Sequence, residues 1–322
     1  MGLDVVKVGF IGAGQRATGA HYPAIAGLKD ATIAAVCDLD EGRLNAAGER
    51  FGIERRYTDY HRMLAEPELD LIYVIMPPQG LAPIVIDCLD AGKHVAMEKP
   101  PGMNAADTEA MIAASERNGR WAMAAFQYRF TPLVREVRRM VLERGPITMC
   151  LGEFHQNYLD QPEPEWGISV LLENTVHVVD FVSYMCGGEA VEIHALQDRF
   201  FTNWKTSKSC HNGLVRFNTG AVGIISGNKS GGARYLRMEV HGRGISAYLR
   251  VPDVAEIWRD NQPEPLILRG ADLVGADDKT LYEGSLAADR HFVECVQTGR
   301  EPRTSLQKVV DTMRLVDALE GD

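Results

Sequence analysis

Three sets of residues carry side chains whose type and spacing suit chemistry. The first is Gly12-Ala13-Gly14-Gln15-Arg16-Ala17, a GxGxxA turn. It follows the apolar run Val5 to Ile11 and precedes helical spacing that reaches Leu28. In that setting Gly12 makes the tight turn and Gly14 lets the backbone approach a pyrophosphate. Ala17 is small enough for close helix–strand contact. The free N–H groups and positive dipole end of the helix suit phosphates. A second apolar run, Ala31 to Cys37, ends at Asp38, 24 residues after Gly14. An acidic group there would hold the adenosine ribose hydroxyls and repel a 2′-phosphate, so NAD is expected ahead of NADP. The competing reading of Asp38 is a loop or cap carboxylate.

The second set is Glu98-Lys99-Pro100, at the end of the strand-like His94 to Met97. Ligands sit at the carboxyl ends of strands in open α/β sheets. Pro100 ends the strand and fixes how Lys99 leaves it. An ammonium there could hydrogen-bond a substrate hydroxyl and stabilise an alkoxide as hydride departs. Burial beside a nicotinamide cation would lower its pKa and ease proton transfer. A solvated lysine paired with Glu98 is the plainer alternative.

The third set lies in the apolar helical run Val170 to Met185, where Glu173, His177, Asp180 and Tyr184 fall on one face. Unpaired buried charge is costly, so this stripe needs a reason. An imidazole with a carboxylate one turn earlier makes a general acid/base pair. Zinc binding competes poorly because no third ligand has suitable spacing, and no metal is expected. A core histidine satisfied by its neighbours also remains open.

These residues need a scaffold. Strands at Val5 to Ile11, Ala31 to Cys37, Leu69 to Met76, His94 to Met97 and Trp121 to Phe126 alternate with helices. One helix places Leu44, Ala47 and Phe51 on one side, one covers Pro83 to Ala91, and one is capped by Asn104. That rhythm makes a right-handed parallel sheet. After about Pro146, strands follow one another: Ile147 to Gln156, Val191 to Arg199, Asn212 to Phe217, Ala221 to Asn228, Leu236 to His241, Ile245 to Val251 and Ala255 to Arg259. Turns at Asn218-Thr219-Gly220 and Gly242-Arg243-Gly244 make antiparallel hairpins. Two helices, Ser285 to Gln297 and Ser305 to Leu319, close the chain, while Asp160 to Trp166 and Asn261 to Lys279 read as loops.

The fold class is therefore α/β. An N-terminal doubly wound Rossmann domain, residues 1–126, precedes an α+β domain, residues 127–322, with a large, mainly antiparallel open sheet. The C-terminal helices are free to return to the first domain.

The 322 residues carry 44 acidic against 34 basic side chains, a formal charge of −10, which disfavours nucleic-acid and acidic membrane partners. The run Leu71 to Pro78 is too short to cross a bilayer, and the N-terminus reads as a first strand rather than a signal peptide. Six cysteines without a CxxC pair suggest reduced thiols in a cytoplasmic protein.

Together the segments VGFIGAGQRA, VCDLD, DAGKHVAMEKP, FQYRFTPLVRE, ENTVHVVD and the C-terminal RHFVECVQTGREPRTSLQKVVDTMRLVDAL resemble the Gfo/Idh/MocA family of NAD(P)-dependent oxidoreductases. The resemblance implies hydride transfer at nicotinamide C4, to or from a sugar, polyol or related carbonyl. It makes Lys99 the active-site lysine and His177 the catalytic histidine, with Glu173 in place of the usual aspartate. It implies a dinucleotide site of Gly12, Gly14, Gln15, Arg16, Ala17, Asp38, Pro77, Glu98, Lys99 and Pro100, and a homodimer or homotetramer.

Several positions depart from the family pattern. Ile168-Ser169 stands for the usual GG and Thr175 for a glycine, and Met76-Pro77-Pro78-Gln79-Gly80-Leu81 lacks a histidine. Tyr128, Arg129, Tyr158 and Trp166 are substrate-pocket candidates, since aromatic faces and planar donors suit polyhydroxylated rings. Two other classes remain open. One is redox-neutral elimination or glycoside cleavage assisted by tightly held NAD, and the other is a non-catalytic dinucleotide-binding regulator.

Overall fold

Six short strands form one parallel sheet: β1 (Val6–Ile11), β2 (Ala31–Cys37), β3 (Arg55–Tyr57), β4 (Leu71–Val74), β5 (His94–Met97) and β6 (Ala122–Ala124). The computed structural model of the chain describes residues 4–163 and 168–321. Contacts divide the chain into two units, Met1–Phe126 with Ser285–Val310, and Gln127–Gly284 with Asp311–Asp322.

In the first unit the strand order is β3-β2-β1-β4-β5-β6. All four residues of β4 and five of the six in β1 are buried, as a sheet covered on both faces requires. The covering helices are α1 (Tyr22–Ala26), entered through a wider π turn at Ala17–His21, then α2 (Glu41–Phe51), α3 (Tyr60–Leu64), α4 (Leu81–Asp90) and α5 (Ala105–Asn118). From the far end of the chain, the helix Ser285–Thr298 joins them. Asp40 and Asn104 cap α2 and α5, their side chains accepting from Arg43 N and Asp107 N at 2.9 Å. The order reverses between β1 and β4, which opens a crevice at the strand ends where the glycine turn and Glu98 emerge.

The second unit holds eight strands: β7 (Met149–Asn157), β8 (Ala190–Asp198), β9 (Cys210–Phe217), β10 (Val222–Asn228), β11 (Ser230–Gly242), β12 (Ile245–Arg250), β13 (Val254–Arg259) and β14 (Leu266–Arg269). Their order is β14-β13-β12-β11-β7-β10-β9-β8. Every neighbouring pair is antiparallel except β7 with β10, which a long connection separates in the chain.

Helices α6 (Pro132–Leu142) and α7 (Val176–Cys186) pack on one face of this sheet; α8 (Gly270–Val274) and α9 (Lys279–Tyr282) are short. A Cβ on Gly152 or Gly223 would strike Val178 or Val182 of α7, and one on Gly242 would strike Val141 of α6. On the opposite face a register row runs through Leu214, Ile224, Leu151, Glu239, Tyr248, Glu256 and Ile267.

The structure shortens or extends several expected elements. The strand expected at Leu69 to Met76 keeps four residues, and β11 begins at Ser230 rather than Leu236. The edge strand β3 reads Arg-Arg-Tyr, pairs only with β2 and has no apolar period to reveal it. The loop expected over Asn261 to Lys279 contains β14 and α8. Both lie at the sheet margin, where β14 is mostly exposed and hydrophobic burial leaves no pattern.

Candidate active site

The phosphate turn is built as the sequence requires. Gly12 has φ +107°, and a Cβ there would lie 2.1 Å from the Ile75 carbonyl oxygen, so glycine alone fits. Its N–H donates to the Cys37 carbonyl at 2.8 Å, and the Tyr22 hydroxyl donates to its own carbonyl at 3.2 Å. A Cβ on Gly14 would meet nothing within 4 Å, so bare backbone faces open space where a pyrophosphate would rest. Gln15, Arg16 and Pro77 are exposed around it and Ala17 is buried.

Asp38 accepts from Ala13 N at 2.7 Å and from Asp40 N at 2.8 Å. It therefore fastens the glycine turn to the end of β2. Ribose binding is compatible with this, because an ionised carboxylate offers about four acceptor positions. The residues present thus fit an adenine dinucleotide.

Glu98 is the most heavily bonded group at the strand ends. One of its oxygens accepts from Arg16 Nε at 2.5 Å and lies 3.1 Å from His21 Nε2; the other accepts from the Lys99 backbone N–H at 3.1 Å. Burial opposes its ionisation, but the His21 hydrogen bond and the Arg16 charge outweigh burial and hold the carboxyl well below its usual range.

Behind Glu98, the other ring nitrogen of His21 lies 3.0 Å from Asp289, which also accepts from the Tyr73 hydroxyl at 3.1 Å. Burial would lower the His21 pKa, yet the two carboxylates outweigh it and raise it to about 9. Lys99 is half-buried and Pro100 buried.

In the second unit His177 is buried in the first turn of α7, its ring centroid 5.0 Å from that of Tyr128. Asp180 accepts from Arg129 Nε at 3.0 Å, Arg129 Nη2 at 2.7 Å and the Thr312 hydroxyl at 3.0 Å. Arg129 also lies 4.9 Å from the Tyr184 ring centroid. These contacts account for Arg129 and Asp180 as a core ion pair. His177, Asp180 and Tyr184 thus meet the adjacent residues Tyr128 and Arg129.

Glu173 sits on a π turn, Leu171–Thr175, rather than on α7 itself. The wider i→i+5 turn breaks the 3.6-residue stripe expected from the sequence. Its carboxylate lies 3.6 Å from the buried Lys229 ammonium. Lys229 donates to Gln156 Oε1 and stands 4.3 Å from the Tyr158 ring centroid. Burial and the Glu173 charge raise the Tyr158 pKa. Trp166 falls outside the described residues.

Thr175, where the family pattern has glycine, is fully buried against Gly227, whose hypothetical Cβ would lie 2.6 Å from the threonine Oγ1. The glycine on the strand leaves room for the threonine on the helix. Gly227→Ala should therefore cost about 1–3 kcal/mol, and adding Thr175→Gly should recover most of it in a double-mutant unfolding cycle.

Sequence reasoning missed His21, Asp289 and Lys229. His21 sits in the helical segment after the glycine turn, a weak signal. Asp289 is 268 residues away from it, and only the fold joins them. Lys229 stands alone between Asn228 and Ser230, and its acidic neighbour Glu173 is 56 positions earlier. Among the described residues no cluster of His, Cys, Asp and Glu is arranged to hold a metal.

Two family models match the chain. Residues 6–126 match the oxidoreductase family, NAD-binding Rossmann fold, and residues 134–247 match the GFO/IDH/MocA C-terminal domain. Myo-inositol 2-dehydrogenase of Thermotoga maritima is 25% identical over 320 residues, covering 93% of this chain and 91% of that protein. D-apiose dehydrogenase of Paraburkholderia graminis is 25% identical over 311 residues, covering 92% and 82%.

Among solved structures, an oxidoreductase from Agrobacterium radiobacter, crystallised with NAD+, L-tartaric acid and magnesium, superposes with a TM-score of 0.85 at 23% identity. That match covers 98% of this chain and 95% of the other. With a glycine turn, an acidic β2 end and Glu98-Lys99-Pro100 in a parallel sheet, followed by a second mainly antiparallel one, the chain belongs to the Gfo/Idh/MocA family of NAD-binding oxidoreductases.

Proposed function

We propose that the chain oxidises a secondary alcohol of a sugar, polyol or related small molecule, or reduces the matching carbonyl. The observation that carries this reading is a dinucleotide turn at the end of β1 and a lysine just past the end of β5 in the same parallel sheet; the second unit holds a buried histidine. Gly12 to Ala17 would hold the pyrophosphate, Asp38 the ribose, and Glu98, Lys99 and Pro100 would border the nicotinamide, with Pro77 at the crevice edge. Bound NAD supplies the hydride acceptor.

His177 takes the hydroxyl proton as the alcohol becomes a carbonyl, while Glu173 lies against the Lys229 ammonium. Lys99 donates a hydrogen bond to the reacting oxygen and stabilises its developing charge. Tyr128 and Tyr158 belong to the substrate surroundings. The two relatives that act on myo-inositol and D-apiose support a polyhydroxylated substrate.

A homodimer or homotetramer is part of the same reading. It is supported by the face of the second sheet opposite α6 and α7, where Leu214, Trp258 and Ile267 are exposed. A reducing, cytoplasmic setting is supported by six free cysteines, of which only Cys210 is not buried.

The test is to identify any nucleotide that co-purifies and then follow nicotinamide absorbance against sugars, polyols and keto acids. Net reduction of NAD by a polyhydroxylated panel member is the expected result. Bound NAD that never turns over with any of them would overturn the reading.

A further inference from the structure

Residues with no assigned role converge beneath Glu98. His21 is 2% exposed and Asp289 is also 2% exposed. Each ring nitrogen of His21 faces a carboxylate, Glu98 at 3.1 Å and Asp289 at 3.0 Å. A neutral imidazole has one donor, whereas two flanking acceptors call for both nitrogens to carry protons.

The groups around this ring come from every packed element. Asp289 comes from the helix Ser285–Thr298, Glu98 from the end of β5, and Tyr73 from β4, its ring centroid 5.6 Å from that of His21. Arg16, on the glycine turn, bonds Glu98 from the exposed side. Glu98 in turn accepts the Lys99 N–H. An unbroken chain of charge-assisted bonds thus runs from Asp289 through His21 and Glu98 to the backbone of Lys99.

We propose that His21, backed by Asp289, is a positioning residue for the nicotinamide end of the cofactor, locking Glu98 and the Lys99 backbone in a single arrangement. This rests on the reading that nicotinamide lies along Glu98 and Lys99. Two carboxylates on one ring make the imidazolium persist through neutral pH, so the lock holds across the neutral range. Its sign follows from linkage. The His21 pKa is raised from 6.5 to about 9, so the ring is charged at neutral pH; the stability this adds is full below about 6.5 and is lost as pH rises through about 9. Asp289→Asn removes one of the two anions and should return the transition toward neutrality.

The experiment measures NAD+ affinity by calorimetric titration from pH 6 to 10 in the wild-type protein and in Asp289→Asn. We expect wild-type affinity to fall about tenfold on passing pH 9 and the break to move down by a pH unit or more in the variant. A merely structural Asp289 would lower affinity equally at every pH and leave the break in place, which would overturn the proposal.

Should Asp289→Asn fail to fold, nitrogen-15 NMR of His21 in the wild type decides. Both ring nitrogens protonated at pH 8 support the lock, and a neutral ring overturns it. A wild-type protein that binds no NAD+ at any pH would overturn the dinucleotide reading and this inference with it. Bound NAD+ with an unmoved break would overturn the inference alone.

Discussion

Replacing Lys99 by alanine is expected to lower turnover by about 10³-fold, with NAD affinity kept within a few-fold. The reasoning is electrostatic. Charge develops on the reacting oxygen during hydride transfer, and a preplaced ammonium is worth more in the transition state than in the bound ground state. The backbone of Lys99 is already held by Glu98, so alanine should leave the local chain path intact. Steady-state kinetics should show kcat and kcat/KM falling together, the signature of an interaction made in the transition state. Equal activity in the variant would remove Lys99 from the mechanism.

The second large effect concerns stability. Arg129 and Asp180 form a bidentate ion pair with side chains 5% and 2% exposed. Asp180→Ala leaves a guanidinium buried without its counter-charge, and such losses cost about 3–5 kcal/mol. Arg129→Ala strands the carboxylate and should cost a similar amount. Urea unfolding of each single variant and of the double variant separates the pair from its parts, because the double variant should recover stability relative to the worse single one. A cost below about 1 kcal/mol would show that water reaches the site.

Much of this molecule was legible in the chain, for identifiable reasons. Parallel strands covered on both sides read as apolar runs, which is why β1, β2 and β5 emerge with near-correct ends. Asn104 announces its helix because capping is local, whereas the Asp40 cap of α2 is seen only in the structure. The glycine turn is equally local, since the positive φ of Gly12 already favours glycine there.

What stayed hidden depends on distant partners or broken periods. The π turn at Leu171–Thr175 adds a residue to one turn and carries Glu173 toward Lys229, which no 3.6-residue wheel foresees. The Thr175–Gly227 contact is visible only once a helix lies on a strand. Edge strands such as β3 and β14, half in water, carry no pattern to read.

The acid behind His21 is encoded at position 289, 268 residues after the imidazole it faces. A ribosome that has delivered residues 1–284 has released every strand of the nucleotide sheet, yet the buried imidazole still lacks the anion that balances it. Vectorial synthesis therefore leaves this unit unfinished until the helix from Ser285 emerges. A nascent chain stalled just before that helix should hold a loosened, protease-sensitive sheet, ready to close within moments of release.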